Sequence, residues 1–253
     1  MREFLAANPI AKPSDVRAAY DEWHYRHEPD PAADAPWYAL IKSRLRLADD
    51  LAGRRVLEIG CGLGGFAVWL SRQSQKPAEV VAADFSPVAV ARARQLGEQT
   101  RATGIHWIVA DIMALDEFQA GFDTVFSCET IEHVPDPPLA VRQLSRVLKP
   151  GGRLYLTTPN YLSMIGLYRA YCWLRRKKFD EGGQPICKIN MSVTTRSWVR
   201  KAGLRVVRTD GVGHYLPLPR RSPIRFTVLD RARFLTRWFA HHTLVIAEKP
   251  AHA

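Results

Sequence analysis

From Arg55 onward the chain alternates short apolar runs with segments of helical periodicity. The runs RVLEI (55–59), EVVAAD (79–84), IHWIVAD (105–111), FDTVFSC (122–128) and GGRLYLTTP (151–159) are rich in Val, Ile, Leu and Ala. Strands buried on both faces read this way. Between them GGFAVWLSRQ (64–73), SPVAVARARQLGEQ (86–99) and DPPLAVRQLSRVLK (136–149) read as helices. In the last two, Ser86 and Asp136 are N-cap residues, each followed by a proline that suits the first helical position. Strand and helix alternating through short loops predict a doubly wound α/β domain, its parallel sheet covered by helices on both sides.

The rhythm changes after Asn160. YLSMIGLYRAYCWLRRKK (161–178) is a strongly apolar helix ending in four cations, and FDEGGQP (179–185) is a turn region. TTRSWVRKAGL (194–204) is a helix closed by Gly203, RVVRTD (205–210) a strand, IRFTVLDRARFLTRWFA (224–240) a helix and HTLVIAEK (242–249) a last strand. Upstream, residues 1–50 form a helical arm in two pieces. Ser14 and Asp15 cap the first piece, HEPDPAADAP interrupts it, and Pro36 opens a second helix reaching to about Asp49. The expectation is a single domain over 1–253, with the arm at 1–50, a core at 54–160, an insertion at 161–190 and the rest of the core at 191–253.

Composition narrows this picture. The apolar fraction of 47% and charged fraction of 24% are those of an ordinary globule. Met1–Ile10 does not read as a signal peptide, and no run is long enough to span a membrane. The four cysteines are scattered without a CxxC pair, which argues against a zinc site or a disulfide scaffold and fits a reducing cytoplasm. Charge is unevenly placed: residues 1–159 hold 18 Lys/Arg against 20 Asp/Glu, and 160–253 hold 18 against 5. A basic half suits nucleic acid, an anionic membrane or an acidic substrate, or is simply a solvated Arg-rich surface.

The candidate chemistry gathers at one end of the predicted sheet, where open parallel sheets bind their ligands. In VLEIGCGLGGF (56–66) an apolar strand ends on Glu58, and Gly60, Gly62, Gly64 and Gly65 crowd the turn that follows. Such a turn serves a dinucleotide equally well. Here, however, a P-loop lysine is missing, and Glu58 would repel a pyrophosphate while suiting a cationic ligand. Asp84, ending the second strand, can bond two ribose hydroxyls. Asp111, after the third, can accept from the exocyclic amine of adenine. Ribose, adenine and a positive tail without phosphate describe S-adenosylmethionine.

On these motifs the chain resembles the class I S-adenosylmethionine-dependent methyltransferases. VLEIGCGLG is similar to their first motif and AADFS to their acidic second-strand end. VADIMAL matches their third-strand motif, and FDTVFSCETIEHVPDPPLAVRQLSRVLKPGGRLYLTTPN the fourth-to-fifth-strand block. The resemblance covers about Arg54 to Asn160. It implies a Rossmann-like, seven-stranded, mostly parallel sheet with one antiparallel strand, and S-adenosyl-L-methionine as cofactor. Carried over residue by residue, Gly60, Gly62 and Gly64 line the methionine part. Asp84 holds the ribose with Phe85 beside the adenine, and Asp111 and Ile112 hold the adenine edge. Glu58, Cys61 and Cys128 complete the expected cofactor-binding set.

The second informative stretch is ETIEHVPDP (129–137). Glu129, Glu132 and His133 follow the fourth strand within five residues, and positions three apart share a face of a helical turn. The block resembles ubiquinone-biosynthesis O-methyltransferases, and small-RNA 3′-end methyltransferases use a similar acid–acid–His arrangement. Three readings stay open: a divalent ion such as Mg2+ held by Glu129, Glu132 and His133; His133 as a metal-free general base aided by both carboxylates; and a purely structural turn. A phenol with a pKa near ~10 needs help in losing its proton.

The insertion bears on the acceptor. An apolar helix at 161–178 is costly in water, so something covers it. It closes as a lid over an aromatic acceptor, docks on an anionic membrane through Arg175, Arg176, Lys177 and Lys178, or pairs with a second copy of the chain. YDEWHYRH (20–27) either closes over the cofactor or packs Tyr20 and Trp23 on the core. GVGHYLPLPRRSP (211–223) reads as a loop whose His214 and Tyr215 either line the acceptor pocket or stand exposed. The expected activity is methyl transfer to a small-molecule acceptor, most often at a hydroxyl oxygen of an aromatic, quinone-like or natural-product compound. The expected place is the cytoplasm, in solution or at the inner face of a membrane. The alternatives are an RNA-modifying methyltransferase that uses Arg220 and Arg221, and an inactive binding protein.

Overall fold

The computed structural model describes residues 13–119, 121–177, 179, 184–218 and 221–251. The N-terminal decapeptide, Lys178, Arg220 and most of the 179–185 turn lie outside the described residues. Helices α1 (Pro13–Arg26) and α2 (Pro36–Lys42) form the arm. Then come β1 (Arg55–Ile59), α3 (Gly65–Ser71), β2 (Glu79–Asp84), α4 (Pro87–Gln99), β3 (Ile105–Val109), β4 (Phe122–Cys128), α5 (Pro137–Val147) and β5 (Leu148–Pro159). Beyond the core lie α6 (Met164–Leu174), α7 (Ser192–Lys201), β6 (Arg205–Val212), β7 (Tyr215–Leu218), β8 (Arg221–Arg225), α8 (Arg233–Phe239) and β9 (His242–Glu248).

Seven strands form one sheet in the order β3-β2-β1-β4-β5-β9-β6. Strand β9 pairs antiparallel with both β5 and β6, and the β3-β2-β1-β4-β5 pairings are all parallel. This is the expected Rossmann-like arrangement with one antiparallel strand. Chain order reverses between β1 and β4, so the carboxyl ends of these two strands flank a crevice.

Neighbouring strand residues serve opposite layers. Leu57, Val125, Leu144, Leu154 and Val199 form one core, toward α5 and α7. Val56, Phe66, Leu70, Phe126 and Tyr155 form the other, toward α2 and α3. Both faces are therefore apolar, which is why the strand sequences show no polar alternation. Phe66 stacks on Tyr38 at 4.8 Å and meets Phe126 edge-on at 5.2 Å, fixing the helix that follows the glycine turn.

Two elements depart from expectation. The second arm helix stops at Lys42, and residues 47–51 instead form a separate wide turn. Asp50 explains the break. Its buried carboxylate accepts from the Arg46 amide at 2.9 Å, from Arg46 Nη2 at 2.9 Å and from the Tyr155 hydroxyl at 2.6 Å. The turn is thus pinned to β5. The helix expected over 224–240 is broken as well. Residues 221–225 pair with 215–218 as a two-stranded hairpin, and helix begins only at Arg233. Pro217 and Pro223 sit in these strands as edge positions allow. Asp230 closes the connection by accepting from Gly213 N at 3.0 Å and pairing with His214 Nδ1 at 2.8 Å.

Candidate active site

The glycine turn is held from below by the second strand. The amides of Gly60 and Cys61 both donate to the Ala83 carbonyl, at 2.8 and 3.0 Å. Asp84 organises the rim: Oδ2 accepts from Gly62 N at 2.8 Å and Oδ1 from Ser86 N at 3.0 Å. Each glycine has its own reason. A Cβ on Gly60 would stand 2.2 Å from Thr130 Oγ1, so this residue makes room for the turn after β4. A Cβ on Gly64 would strike Ala93 and Trp107, at 2.7 and 2.8 Å. Gly62 differs: a Cβ there would meet only His24 Cε1 of the arm, at an ordinary contact distance of 3.6 Å. Gly60, Gly62 and Gly64 all have positive φ, where a side chain is strained.

Glu58 is fully buried, and neither of its carboxylate oxygens has a hydrogen-bond partner among the described residues. Burial pushes its carboxyl well above the usual range, and the charge of Asp84 adds to this. An orphaned buried acid beside the glycine turn is what a cationic ligand requires and a phosphate does not. Cys61 and Cys128 are buried with thiols pushed up by the same burial, so they act as apolar walls. Farther along the rim, Phe85 lies under the Arg17 guanidinium at 4.4 Å. Asp111 Oδ1 accepts from Met113 N at 2.8 Å, and Ile112 is buried. The residues present fit S-adenosylmethionine: a bare glycine floor at Gly62 beneath the arm, a ribose-type acid at Asp84 and a buried carboxylate at Glu58.

The arm lies across this rim. The Tyr20 hydroxyl donates to the His133 carbonyl at 3.3 Å, and His24 Nε2 stands 3.9 Å from Asp84 Oδ1. Ser86 Oγ bonds Asp21, and Arg92 reaches the carbonyls of His24, Tyr25 and His27. Within 20–27, Tyr20 and His24 reach the rim at the His133 carbonyl and at Asp84, while Trp23 stacks on His27 at 3.8 Å.

The acid–acid–His stretch is pulled three ways. Residues 131–133 form one 3-10 turn. His133 Nδ1 bonds the Ile186 carbonyl at 2.6 Å, and its Nε2 stands 3.6 Å from Glu132 Oε1. Glu132, 2% exposed, accepts from Thr158 Oγ1 at 3.0 Å. Glu129 turns elsewhere, its Oε2 meeting His242 Nδ1 at 2.9 Å. Burial holds the His133 pKa below its ordinary value, against the opposing pull of the Ile186 carbonyl and Glu129. The expected Mg2+ set of Glu129, Glu132 and His133 is therefore corrected. Among the described residues no three His, Cys, Asp or Glu side chains gather to hold a metal. The reason is that Glu129 and His133 each have a partner that aims them apart.

The insertion contributes through its far end. Ile186 supplies the carbonyl for His133, Lys188 N donates to the Glu132 carbonyl at 2.8 Å, and Asn190 Nδ2 to Thr158 Oγ1 at 2.9 Å. Helix α6 itself leaves Leu167, Trp173 and Leu174 exposed. His214 is buried against Asp230, and Tyr215 packs edge-on to His241 at 5.7 Å. His242 escaped the sequence reading, since it lies in no motif and reaches the site through pairing register; His24 lay within the quoted 20–27 stretch but was not singled out there. No described helix is long and apolar enough to cross a membrane.

The chain is similar to known methyltransferases. Residues 57–156 match the family model described as a methyltransferase domain. The ubiquinone biosynthesis O-methyltransferase of Pseudomonas aeruginosa is 37% identical over 164 residues, which cover 62% of this chain and 66% of that enzyme. The chain thus spans a little under two thirds of that relative's length. Among solved structures, a putative methyltransferase of Haloferax volcanii, in complex with the Trm112 methyltransferase activator, is similar with a TM-score of 0.65 and 23% identity over 94% of this chain and 99% of that one. A S-adenosylmethionine-dependent methyltransferase of Mesorhizobium loti follows with a TM-score of 0.61 and 21% identity, over 85% and 99%. Those two likenesses concern the fold. Residues 57–156 thus match a methyltransferase domain, and the strand order, glycine turn and two rim acids agree with the class I S-adenosylmethionine-dependent methyltransferases.

Proposed function

We propose that the chain methylates a hydroxyl oxygen of a small aromatic, quinone-like or natural-product acceptor, with His133 as general base. The observation that carries this reading is the setting of His133. Its Nδ1 is occupied by the Ile186 carbonyl, which leaves the Nε2 lone pair available, and Glu132 stands 3.6 Å from that nitrogen. A neutral imidazole so oriented takes the hydroxyl proton on Nε2, and the Glu132 carboxylate stabilises the imidazolium that results. The likeness to a ubiquinone-biosynthesis enzyme supports oxygen as the methylated atom.

Glu58, Gly60, Cys61, Gly62, Gly64, Cys128, Asp84, Phe85, Asp111 and Ile112 are the residues proposed to hold the cofactor. S-adenosylmethionine supplies an electrophilic methyl whose departing thioether is neutral. The protein's part is then to align the acceptor oxygen, exclude water and hold the proton. The arm and residues 184–190 close the site on two sides, and this favours an acceptor of modest size. The test is incubation with isotope-labelled S-adenosylmethionine and a host extract. Label on a hydroxyl of a small molecule is the expected result; label on RNA alone, or none at all, overturns the reading.

A further inference from the structure

At the sheet edge, away from the rim just described, α7, β6 and α8 enclose a groove of about 400 Å³. Its walls carry Arg196, Arg200, Arg208 and Arg237 around Trp238, with Asp210 as the acid among them. That acid is already claimed: Arg44 Nε reaches its Oδ2 at 2.6 Å and Arg208 Nε at 2.5 Å. Arg196, Arg200 and Arg237 thus face one groove with no carboxylate partner among the described residues. Two of them lie against one ring, Arg196 at 5.1 Å and Arg237 at 5.5 Å from the Trp238 centroid. Arg196 Nε is buried without an acceptor. Like charges held together in this way repel, and an anion relieves them. Guanidinium forks bind phosphate with particular geometric fit.

We propose that this groove binds the phosphate of an anionic phospholipid headgroup and docks the protein on a membrane surface. Phosphate alone would explain the arginines. The lipid source is favoured by the large apolar side chains that stand out beside them. Phe234 is 69% exposed, Phe239 46% and Val207 38%. An indole in contact with two cations, with exposed phenyl groups on the same helix, suits the boundary between headgroups and acyl chains. A nucleic-acid groove would use the rings for stacking and gain nothing from Val207. None of these residues belongs to the methyl-transfer site, so the inference stands or falls separately from that reaction.

The test is co-sedimentation of the whole chain with vesicles of phosphatidylcholine, alone or mixed with phosphatidylglycerol. Arg200 and Arg237 are exposed, so R200Q/R237Q is expected to keep the fold, checked by an unchanged melting curve and unchanged S-adenosylmethionine affinity. Selective binding to the anionic vesicles, weakened at least tenfold by R200Q/R237Q and separately by F234S, supports the proposal. Equal binding to neutral vesicles, or anionic binding untouched by R200Q/R237Q, overturns it. Saturation by inorganic phosphate without vesicle binding assigns the groove to a free anion and overturns the lipid source. Binding of an RNA oligomer that R200Q/R237Q abolishes, with no affinity for vesicles, does the same.

Discussion

His242 Nδ1 lies 2.9 Å from Oε2 of Glu129, joining the first residue of β9 to the residue that follows β4, 113 positions earlier. Glu129 holds a positive φ of 49° to make this contact, a conformation that favours glycine. Burial alone would raise its pKa, but the His242 imidazole and the Thr157 hydroxyl hold it below the ordinary value of 4.5. The sign for stability follows. The stabilisation is complete above the unfolded carboxylate value and is lost as pH falls through the lower folded value. Glu129→Ala removes the hydrogen-bond partner of the buried His242 ring and is expected to cost about 2 kcal/mol at neutral pH. Urea denaturation across pH 3–7 checks this. A variant whose stability follows the parent at every pH would show that the pair contributes nothing.

Glu58 predicts a proton linkage. Its carboxyl is pushed up by burial and by Asp84, so it takes up a proton in the free protein at pH values where ordinary carboxylates have lost theirs. A cationic ligand favours the ionised form, so binding of S-adenosylmethionine is expected to release protons and to tighten as pH rises. Calorimetry in buffers of different ionisation enthalpy reads the proton count directly. In Glu58→Gln the linkage is expected to vanish and affinity to fall roughly tenfold. Equal enthalpies in all buffers for the parent protein would detach Glu58 from the ligand.

How much of this was legible in sequence depends on whether a residue's role is local. Asp84, Glu58 and the glycine turn are placed by one strand–turn–helix unit, so their spacing alone locates them. Gly60 is subtler. It reads as ligand floor, yet the atom its missing Cβ would strike belongs to Thr130. That constraint comes from the turn after β4, far along the chain. The Glu129–His242 pair is wholly non-local, because the register that sets Pro159 opposite His242 carries the imidazole to β4. The triplet 129–133 looked like one cluster since its members are close in sequence. A positive φ at Glu129 and a single 3-10 turn after it aim them differently. The 221–225 strand escaped for another reason: its hairpin pairs two proline-bearing segments, which read as a loop to 223 and as helix from 224.

His133 predicts the pH profile. With its pKa held below 6.5 by burial, the neutral base persists into mildly acidic solution. The acid limb of kcat is expected below the ordinary imidazole value. His133→Ala is expected to lower kcat by ~10² to 10⁴-fold with little change in cofactor affinity. Glu132→Gln should lower kcat less, by removing the partner of the imidazolium. Since the three side chains at 129–133 are not gathered as a metal set, EDTA is expected to leave kcat unchanged. Loss of activity in EDTA that added Mg2+ restores would show that substrate binding regroups them.

The arm predicts a coupling between cofactor and acceptor sides. Within one helix, α1, Tyr20 reaches the carbonyl of His133 and His24 stands beside Asp84, four residues and one turn apart. Ordering the arm over the cofactor therefore also fixes the backbone that carries the proposed base. Tyr20→Phe removes one hydrogen bond, a change of about 1 kcal/mol. It is expected to leave cofactor affinity nearly intact while lowering kcat several-fold. His24→Ala should do the reverse, weakening cofactor binding about tenfold through loss of cover at Gly62 and Asp84. The double variant distinguishes a coupled arm from two independent contacts. In a coupled arm the two effects are not additive, since either change already loosens the helix. Strict additivity in both kcat and cofactor affinity would mean that α1 merely packs there.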